Sequence, residues 1–484
     1  MNLLTDEWIP VQHEGAFQHI SLKTLLTQDD DWQVSLPRDD MEMACLQLLV
    51  SLTQVLFIPD NKDQLVERIA HPVSEGDYIA AIESKQDWFE LDHPQHPFMQ
   101  IRGVKAKELT GMAKLFAGLT GATSSAFVNE SGLASQLCST CTTIALFNQA
   151  ANCPSFGGGF KASIRGGSPV TTLILGGNLR QTIWRNVLCK EMLDVSMPWF
   201  ETTQNEAPNW VSLVKEKESI EAHQTGLLRG LFWQPAHIEL VKNDGEGICD
   251  CCDQESECYI GFKKEKFVYD FKGIWPHPHG PRVFKVSKRE REEKFSSFTT
   301  TAPSWTLLTQ FLIRKEQERE GHTPAPVISQ VKKMGSVNER LCLMVGGYRN
   351  KQASILERRH ELFNIAVGWQ NNDRQIERIV DTGLAYKTEL RKKLFGFFKA
   401  TGASLQDQGE HLFYKQTEYM VHGMLRNMDF KESKAAFSDY HQRLRETTRN
   451  IFQQITESYQ NEPKMIKALA IARRGLEKSL NELN

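Results

Sequence analysis

The sequence predicts an α+β fold: a large, irregular mixed N-terminal domain with a zinc-stapled loop region, followed by a C-terminal four-helix bundle. Three observations carry this. Short β-rich runs broken by Pro and Gly dominate as far as about Pro326, with no internal repeat and no alternating βαβ pattern. From Ser354 onward apolar residues recur at helical spacing. Two Cys-x-x-Cys pairs, Cys138 with Cys141 and Cys249 with Cys252, lie about a hundred residues apart and read as halves of one metal site.

The chain opens as a small β-hairpin, with Trp8, Ile9 and Val11 as one apolar run, Glu14 and Gly15 at the turn, and 17–22 returning. A helix follows, capped by Asp39 and Asp40, on which Met43, Leu46, Leu49, Val50, Thr53 and Leu56 recur. Strands are expected at 170–175, 230–240 and 267–271. Ser354, with Glu357 three residues on, fits a capping box and predicts a helix whose face holds Ile355, Leu362, Phe363, Ala366 and Trp369. Four further amphipathic stretches follow, at 384–400, 410–427, 433–459 and 463–483. Their breaks fall at Gly402 and Gly409, at 429–432 and at 461–463. Short connections between four helices predict an antiparallel bundle. The division is placed at 375, with residues 1–375 as the mixed body and 376–484 as the bundle.

Each cysteine pair can set two thiolates on a tight turn, and four thiolates meet the tetrahedral demand of a structural zinc ion. Such a closed site leaves no position for water or substrate, so it indicates a clamp between distant segments. Isolated pairs of this spacing also act as redox dithiols, but at a helix start within a thioredoxin-like unit, and neither pair has such surroundings. Cys251 makes the second half Cys-x-Cys-Cys, so which two of Cys249, Cys251 and Cys252 bind stays open; Cys258 is another spare. Cys45, Cys153, Cys189 and Cys342 fall mostly among apolar neighbours and read as reduced core residues.

With 484 residues, 40% hydrophobic and 24% charged, the chain has ordinary globular composition and room for two to four domains. Residues 1–10 lack the basic start and apolar run of a signal peptide. The longest apolar stretch, 46–58, is interrupted by Gln47, Ser51, Thr53 and Gln54 and is too short to span a bilayer. A cytoplasmic protein without a membrane partner is expected. The net charge of -3 hides a split: from Arg378 to the end there are 18 Lys and Arg against 13 Asp and Glu, a balance of +5, so the remainder carries -8. That asymmetry suits local contact with a polyanion through Arg391, Lys392, Lys393, Arg443, Arg445 or Arg449, contact with a neighbouring subunit, or a solvated face.

Catalytic signatures are sparse. There is no GxxxxGKS/T loop for nucleotide hydrolysis and no GxSxG elbow for an acyl-enzyme. His360-Glu361 begins an HExxH pattern that Asn364 breaks, and Trp275-Pro276-His277-Pro278-His279 reads as a stiff structural loop. Two glycine-bearing segments are more informative. Phe156-Gly157-Gly158-Gly159-Phe160 strips three successive side chains, which permits close backbone approach to a groove or to another backbone. The segment 345–354, with Arg349, Asn350, Lys351 and Gln352, offers groups that suit phosphate and base-edge contacts, or a solvated loop.

Five extended motifs occur in order: Met1-Asn2-Leu3-Leu4 with Glu7-Trp8-Ile9-Pro10-Val11; Ser35-Leu36-Pro37-Arg38-Asp39-Asp40-Met41-Glu42; 156–160; Phe232-Trp233-Gln234-Pro235-Ala236-His237; and 346–360. Together they resemble the CasA family, the large subunit of Cascade, the type I-E CRISPR surveillance complex, nearly end to end. The resemblance implies a non-catalytic subunit that reads the protospacer-adjacent motif from the minor groove of double-stranded target DNA. By the same resemblance Gly157, Gly158 and Gly159, Lys266 and the Gln352-Ala353 wedge are its reading elements, and the protein helps start strand separation and R-loop formation. It implies that Phe127, Val128 and Asn129 touch the CRISPR RNA. Its implied partners are the other Cascade subunits and a helicase-nuclease effector, which cleaves. Lys288 and Arg289, in a basic run with Lys285 and Arg291 that glutamates interrupt, are candidates for guiding the displaced strand. Two other readings are a purely structural scaffold and a zinc-dependent nucleic-acid-processing enzyme; the latter needs a metal with an open position and a general base.

Overall fold

The computed structural model describes residues 1–119, 134–287, 290–334, 339–401 and 404–483, without the side chains of 398–401. It divides into two compact units. One comprises Met1–Thr299, Arg314–Met334 and Met344–Glu361; the other comprises Thr300–Ile313, Gly335–Leu343 and Leu362–Asn484. The fold is α+β, with its long helices gathered at the C-terminal end.

The first unit opens with the expected hairpin. Strand β1 (Glu7–His13) pairs antiparallel with β2 (Ala16–Ser21), and Gln33–Val34 adds a short third strand. Helix α1 (Asp39–Leu56) is buried on almost every face from Met41 to Val55, which makes it a core helix rather than an amphipathic surface one. Its cap differs from the expectation. Arg38 takes the N-cap position without a side-chain cap bond, while Asp39, Asp40 and Glu42 fill the first turn and complement the helix dipole.

Helix α2 (Ser139–Ala151) follows, and a long connection leads to β3 (Thr171–Ile174). The strand expected over 230–240 begins later. Leu227–Leu231 is a short helix, and its Gly230 packs against Trp275, where any Cβ would come within 2.1 Å of the indole. Strand β4 (His237–Ile248) then pairs with β5 (Glu255–Glu265), from His237 opposite Glu265 to Ile248 opposite Glu255, with register shifts after Val241 and between Lys242 and Glu246. Strand β5 also takes Thr110–Gly111 and Leu137–Cys138 as antiparallel neighbours. The chain beyond it forms Tyr269–Lys272, parallel to Glu218–Glu221. Around these elements Phe89, Phe98, Phe147, Trp210 and Phe232 meet edge to face.

The helix expected from Ser354 is absent. Strand β6 (Leu341–Lys351) turns at Gln352 and Ala353 into β7 (Ser354–Ile365), and the sheet order is β7-β6-β3. Glu357 does not close a capping box. It accepts instead from Arg349 on β6 at 2.7 Å and from Arg359 at 2.9 Å, and Ile355 packs on Ala117, Cys153 and Tyr348. The apolar residues read as one helical face are instead spread along β7 and the chain after it.

The second unit contains the four-helix bundle: α3 (Asp373–Thr401), α4 (Gln406–Asn427), α5 (Ser433–Thr456) and α6 (Pro463–Glu482). Helix α3 starts earlier than the apolar pattern suggested. Gly409 was expected in a loop and lies instead in the first turn of α4, where a Cβ would stand 2.2 Å from Leu394 Cδ1 and 3.3 Å from Ile455 Cδ1. Its missing side chain lets three helices close. Among the described residues no helix is long and apolar enough to cross a membrane. Replacing Gly409→Val raises intrinsic helix propensity yet should destabilise the protein by about 1–3 kcal/mol through overpacking, read as a lower midpoint in denaturant unfolding.

Candidate nucleic-acid interface and cysteine cluster

Three segments far apart in sequence meet at one place on the first unit. In 157–159 every residue has positive φ: +80° at Gly157, +58° at Gly158 and +87° at Gly159. Only glycine adopts three such conformations in succession without strain, so the run presents bare backbone. Phe156 anchors it against Phe262 of β5 at 5.7 Å and Phe160 at 5.6 Å, and Phe160 N–H donates to Gly157 O at 3.1 Å.

Lys266 follows the last residue of β5 and is exposed. Its Nζ lies 3.5 Å from Gly158 O, and a Cβ on Gly159 would be 3.6 Å from the same ammonium. Phe267 beside it is buried between the rings of His237, at 4.2 Å, and Tyr269, at 4.8 Å, which fixes where the lysine leaves the surface. Lys264 is occupied elsewhere: it donates to Thr110 Oγ1 at 2.5 Å, and burial lowers its pKa.

The third segment is the β6-β7 tip. A Cβ on Gly157 would sit 3.5 Å from Ala353 Cβ, so the glycine turn and the hairpin touch. Gln352 is exposed with φ +55°, an uncommon conformation for a residue with a side chain, and Asn350 Nδ2 braces it by donating to Gln352 O at 2.6 Å. Glycine would relieve that strain, so a side chain is kept at the tip against the backbone preference. Below the tip Tyr348 is buried. Its hydroxyl accepts from Asn148 Nδ2 at 2.7 Å and donates to Asp40 Oδ2 at 2.9 Å, while Arg38 grips the same carboxylate through Nε and Nη2. Arg358 of β7 reaches Asp39 at 3.4 Å and Asp40 at 3.5 Å. The first turn of α1 therefore clamps both strands of the hairpin.

Cys138, Cys141, Cys249 and Cys252 form one cluster whose sulfurs all lie within 4.8 Å of each other. Cys138 is the N-cap of α2 and accepts from the Cys141 amide at 3.4 Å; Cys249 and Cys252 lie on the turn between β4 and β5. The Cys138–Cys252 sulfur separation of 3.7 Å fits a tetrahedral thiolate site, in which metal–sulfur bonds of ~2.3 Å set sulfurs about 3.8 Å apart. Hydrogen bonds from Cys138, Cys141 and Cys252 pull the Cys249 thiol far below its ordinary value, while those with Cys138 and then Cys249 push Cys141 well above its own. The cluster can hold a metal ion, and Cys251 is outside it. Asp250 supports the turn: its Oδ2 accepts from the backbone N–H of Ser135 at 2.6 Å and of Gln136 at 2.9 Å. Spacing alone gives no signal for Asp250 or Tyr348, whose contacts cross more than a hundred residues, and Asp40 was expected only as a cap of α1.

Phe127, Val128 and Asn129, and Lys288 and Arg289, lie outside the described residues. Arg291 stacks on Phe284 at 3.8 Å and pairs with Glu316 at 3.1 Å. The bundle cations are largely engaged within the bundle, Arg391 with Glu410, Lys392 and Lys393 with Glu389, Arg443 with Asp439, and Arg449 with Glu477; Arg445 donates to Leu480 O. His277 and His279 are buried, burial holding His279 down at about 4, and His279 Nε2 lies 3.0 Å from Asn186 O, as a structural loop requires.

A family model described as CRISPR-associated protein Cse1 matches residues 2–456. The chain belongs to the Cse1 family. Among solved structures, Cse1 of Thermobifida fusca aligns with a TM-score of 0.78 at 16% identity, covering 100% of this chain and 98% of that one. The Thermus thermophilus protein described as CasA (Cse1) aligns at 0.74 and 16%, covering 100% of both chains. A chain of a structure described as a CRISPR RNA-guided surveillance complex aligns at 0.71 and 13%, covering 98% of this chain and 99% of that one. At these identities the likeness is one of fold. In this Cse1-family chain helix α6 lies beyond the matched residues.

The geometry sets Cys251 apart from the four clustered thiols. Purified Cys251→Ser should retain the metal content of the unaltered chain, and Cys252→Ser should lose it, as measured by elemental analysis after exhaustive dialysis.

Proposed function

We propose that this chain is the non-catalytic large subunit of a CRISPR RNA-guided surveillance complex, and that it reads a short motif beside the target from the minor groove of duplex DNA. The observation that carries the reading is that the glycine turn touches both other segments: Gly158 O lies 3.5 Å from Lys266 Nζ, and a Cβ on Gly157 would sit 3.5 Å from Ala353 Cβ. Each has a distinct task. Bare backbone at 157–159 can enter a groove only about 6 Å wide. The Lys266 ammonium donates to the acceptors on the groove floor, where it exchanges its weak contact with Gly158 O for them. Gln352, raised on a two-residue turn and braced by Asn350, acts as the wedge that unstacks the neighbouring step.

Unstacking costs a few kcal/mol per step, and the clamp from α1 supplies a rigid base against which the tip can press. Minor-groove patterns are degenerate, so several related motifs are tolerated. Pairing with the guide RNA then extends the opening, and the displaced strand is held outside, with Lys288 and Arg289 as candidate contacts. Phe127, Val128 and Asn129 are the proposed contacts to the guide. Partners in this reading are the other subunits of the complex, the CRISPR RNA, double-stranded target DNA and a helicase-nuclease that carries out cleavage.

We assign zinc to the cysteine cluster. Four thiolates close its coordination shell, so the ion joins the β4-β5 turn to the start of α2 and leaves no position for a substrate. It thereby ties the chain beside the proposed RNA-contacting loop to the strand that leads to Lys266.

Lys266→Ala and Gln352→Ala, each in the assembled complex, should weaken binding to motif-bearing duplex about tenfold, equivalent to about 1.4 kcal/mol, in equilibrium binding. Unchanged duplex affinity with intact assembly would refute the groove reading. Chelation should release one zinc per chain and lower the thermal midpoint, with the largest gain in amide exchange around 134–141 and 247–256.

A further inference from the structure

The glycine turn rides on residues 152–170, a connection between α2 and β3 with no helix or strand of its own. Irregular connections of this length need internal ties if they are to hold one shape. The tie here is Arg165, whose side chain is buried at 5% exposure. Its Nη1 donates to Thr171 Oγ1 at 3.1 Å, and its Nη2 donates to Ala151 O at 3.1 Å and to Asn152 Oδ1 at 2.6 Å. Ala151 and Asn152 end α2 and Thr171 begins β3, so one guanidinium spans both stems of the connection. Thr171 Oγ1 closes the ring by donating to Asn152 Oδ1 at 3.3 Å.

A tight turn aims the side chain inward. Ser163 Oγ accepts from Arg165 N–H at 3.1 Å and donates to Gly166 O at 3.1 Å, and Gly166 N–H returns to Ser163 O at 2.8 Å. The acceptors of the guanidinium are all neutral oxygens, and no carboxylate among the described residues pairs with it. Burial draws its pKa down to about 9. A desolvated guanidinium without a counter-ion is costly, and an apolar side chain would fill the space more cheaply. What an apolar side chain cannot do is reach three acceptors on two stems through one planar fork.

We propose that Arg165 is a positioning residue for motif recognition: by pinning both stems of the 152–170 connection it holds the glycine turn against Lys266 and the Gln352-Ala353 tip. The inference rests on the groove-reading function proposed above. Arg165 touches no nucleic acid in this account. Its loss acts by letting the turn move away from its two partners, which removes discrimination between duplexes before it removes affinity for an already opened target.

The test uses Arg165→Met in the full chain, with Thr171→Val as a milder variant that removes one acceptor, and Lys266→Ala in parallel. In the free chain, amide exchange over 154–162 should quicken about tenfold in Arg165→Met and less in Thr171→Val, with α2 and β3 unchanged. In the assembled complex, the affinity ratio between duplexes with and without the motif should fall about tenfold. Binding to a target pre-opened beside the motif should stay within about twofold of the unaltered complex. Should Arg165→Met fail to fold, Thr171→Val is read alone against the same criteria. Unchanged exchange over 154–162 overturns the brace, whatever the DNA results. Lost discrimination in Lys266→Ala with none lost in the Arg165 and Thr171 variants overturns the positioning role alone. Unchanged discrimination in Lys266→Ala refutes the groove reading itself and with it the positioning role, while the exchange result still decides whether Arg165 holds the loop.

Discussion

The long antiparallel pairing of β4 with β5 is the constraint on which the rest of the first unit depends. At one end of the pair the connecting turn carries Cys249 and Cys252; at the other, β5 delivers Lys266. Between these ends β5 pairs with Leu137–Cys138, which brings Cys138 opposite Cys258 and sets the first cysteine pair within reach of the second. Phe262, midway along, receives Phe156 and so seats the glycine turn. A one-residue slip in this register would turn Phe262 to the other face and shift the cysteine turn and Lys266 at the two ends of the pair. The sheet therefore fixes the cysteine cluster and the lysine together.

The interface then relies on irregular backbone held by buried polar contacts. A glutamine at φ +55° is strained, and a three-glycine turn and a 19-residue connection cost conformational entropy to hold in one shape. Each has a specific counterweight: the Asn350 brace, the Phe156 anchor, and the Arg165 fork across both stems of the connection. Such arrangements resist relaxation because every member of the network is satisfied, and they gain little from flexibility. In the proposed function this rigidity lets contact with the groove be spent on opening DNA rather than on ordering protein.

Local pattern made part of this legible. The opening hairpin and α1 announce themselves through alternation, a turn dipeptide and a long apolar run, and the cysteine quartet through spacing that few other roles require. The β6-β7 hairpin was not legible, because Glu357, Arg358, Arg359 and His360 interrupt the apolar alternation and Ser354 with Glu357 imitates a capping box. Only the cross-strand acceptor role of Glu357 and the packing of Ile355 on Tyr348 resolve the ambiguity, and both are contacts between the two strands that exist only once the chain has turned at Gln352 and Ala353. Gly409 misled for a related reason: glycine marks loops in sequence, yet here it marks a helix crossing. Gly157, Gly158, Gly159, Lys266 and Gln352 were named from family resemblance, and nothing in their local sequence states that they converge. Arg165 and Asp250 carry no sequence signal, since their value lies in which stems they join, and Asp40, expected only as a helix cap, shows no sign of its role under the hairpin.

The central claim is that the converged turn, lysine and tip open the first base step beside the motif before guide pairing begins. The most direct measurement places 2-aminopurine at that step in a duplex matched to the guide only at the motif, and follows its fluorescence as the assembled complex is added. The account predicts a rise with motif-bearing duplex that is lost when Gln352→Gly removes the side chain from the tip. An equal rise in that variant, or no rise with the unaltered complex at saturating concentration, would contradict it.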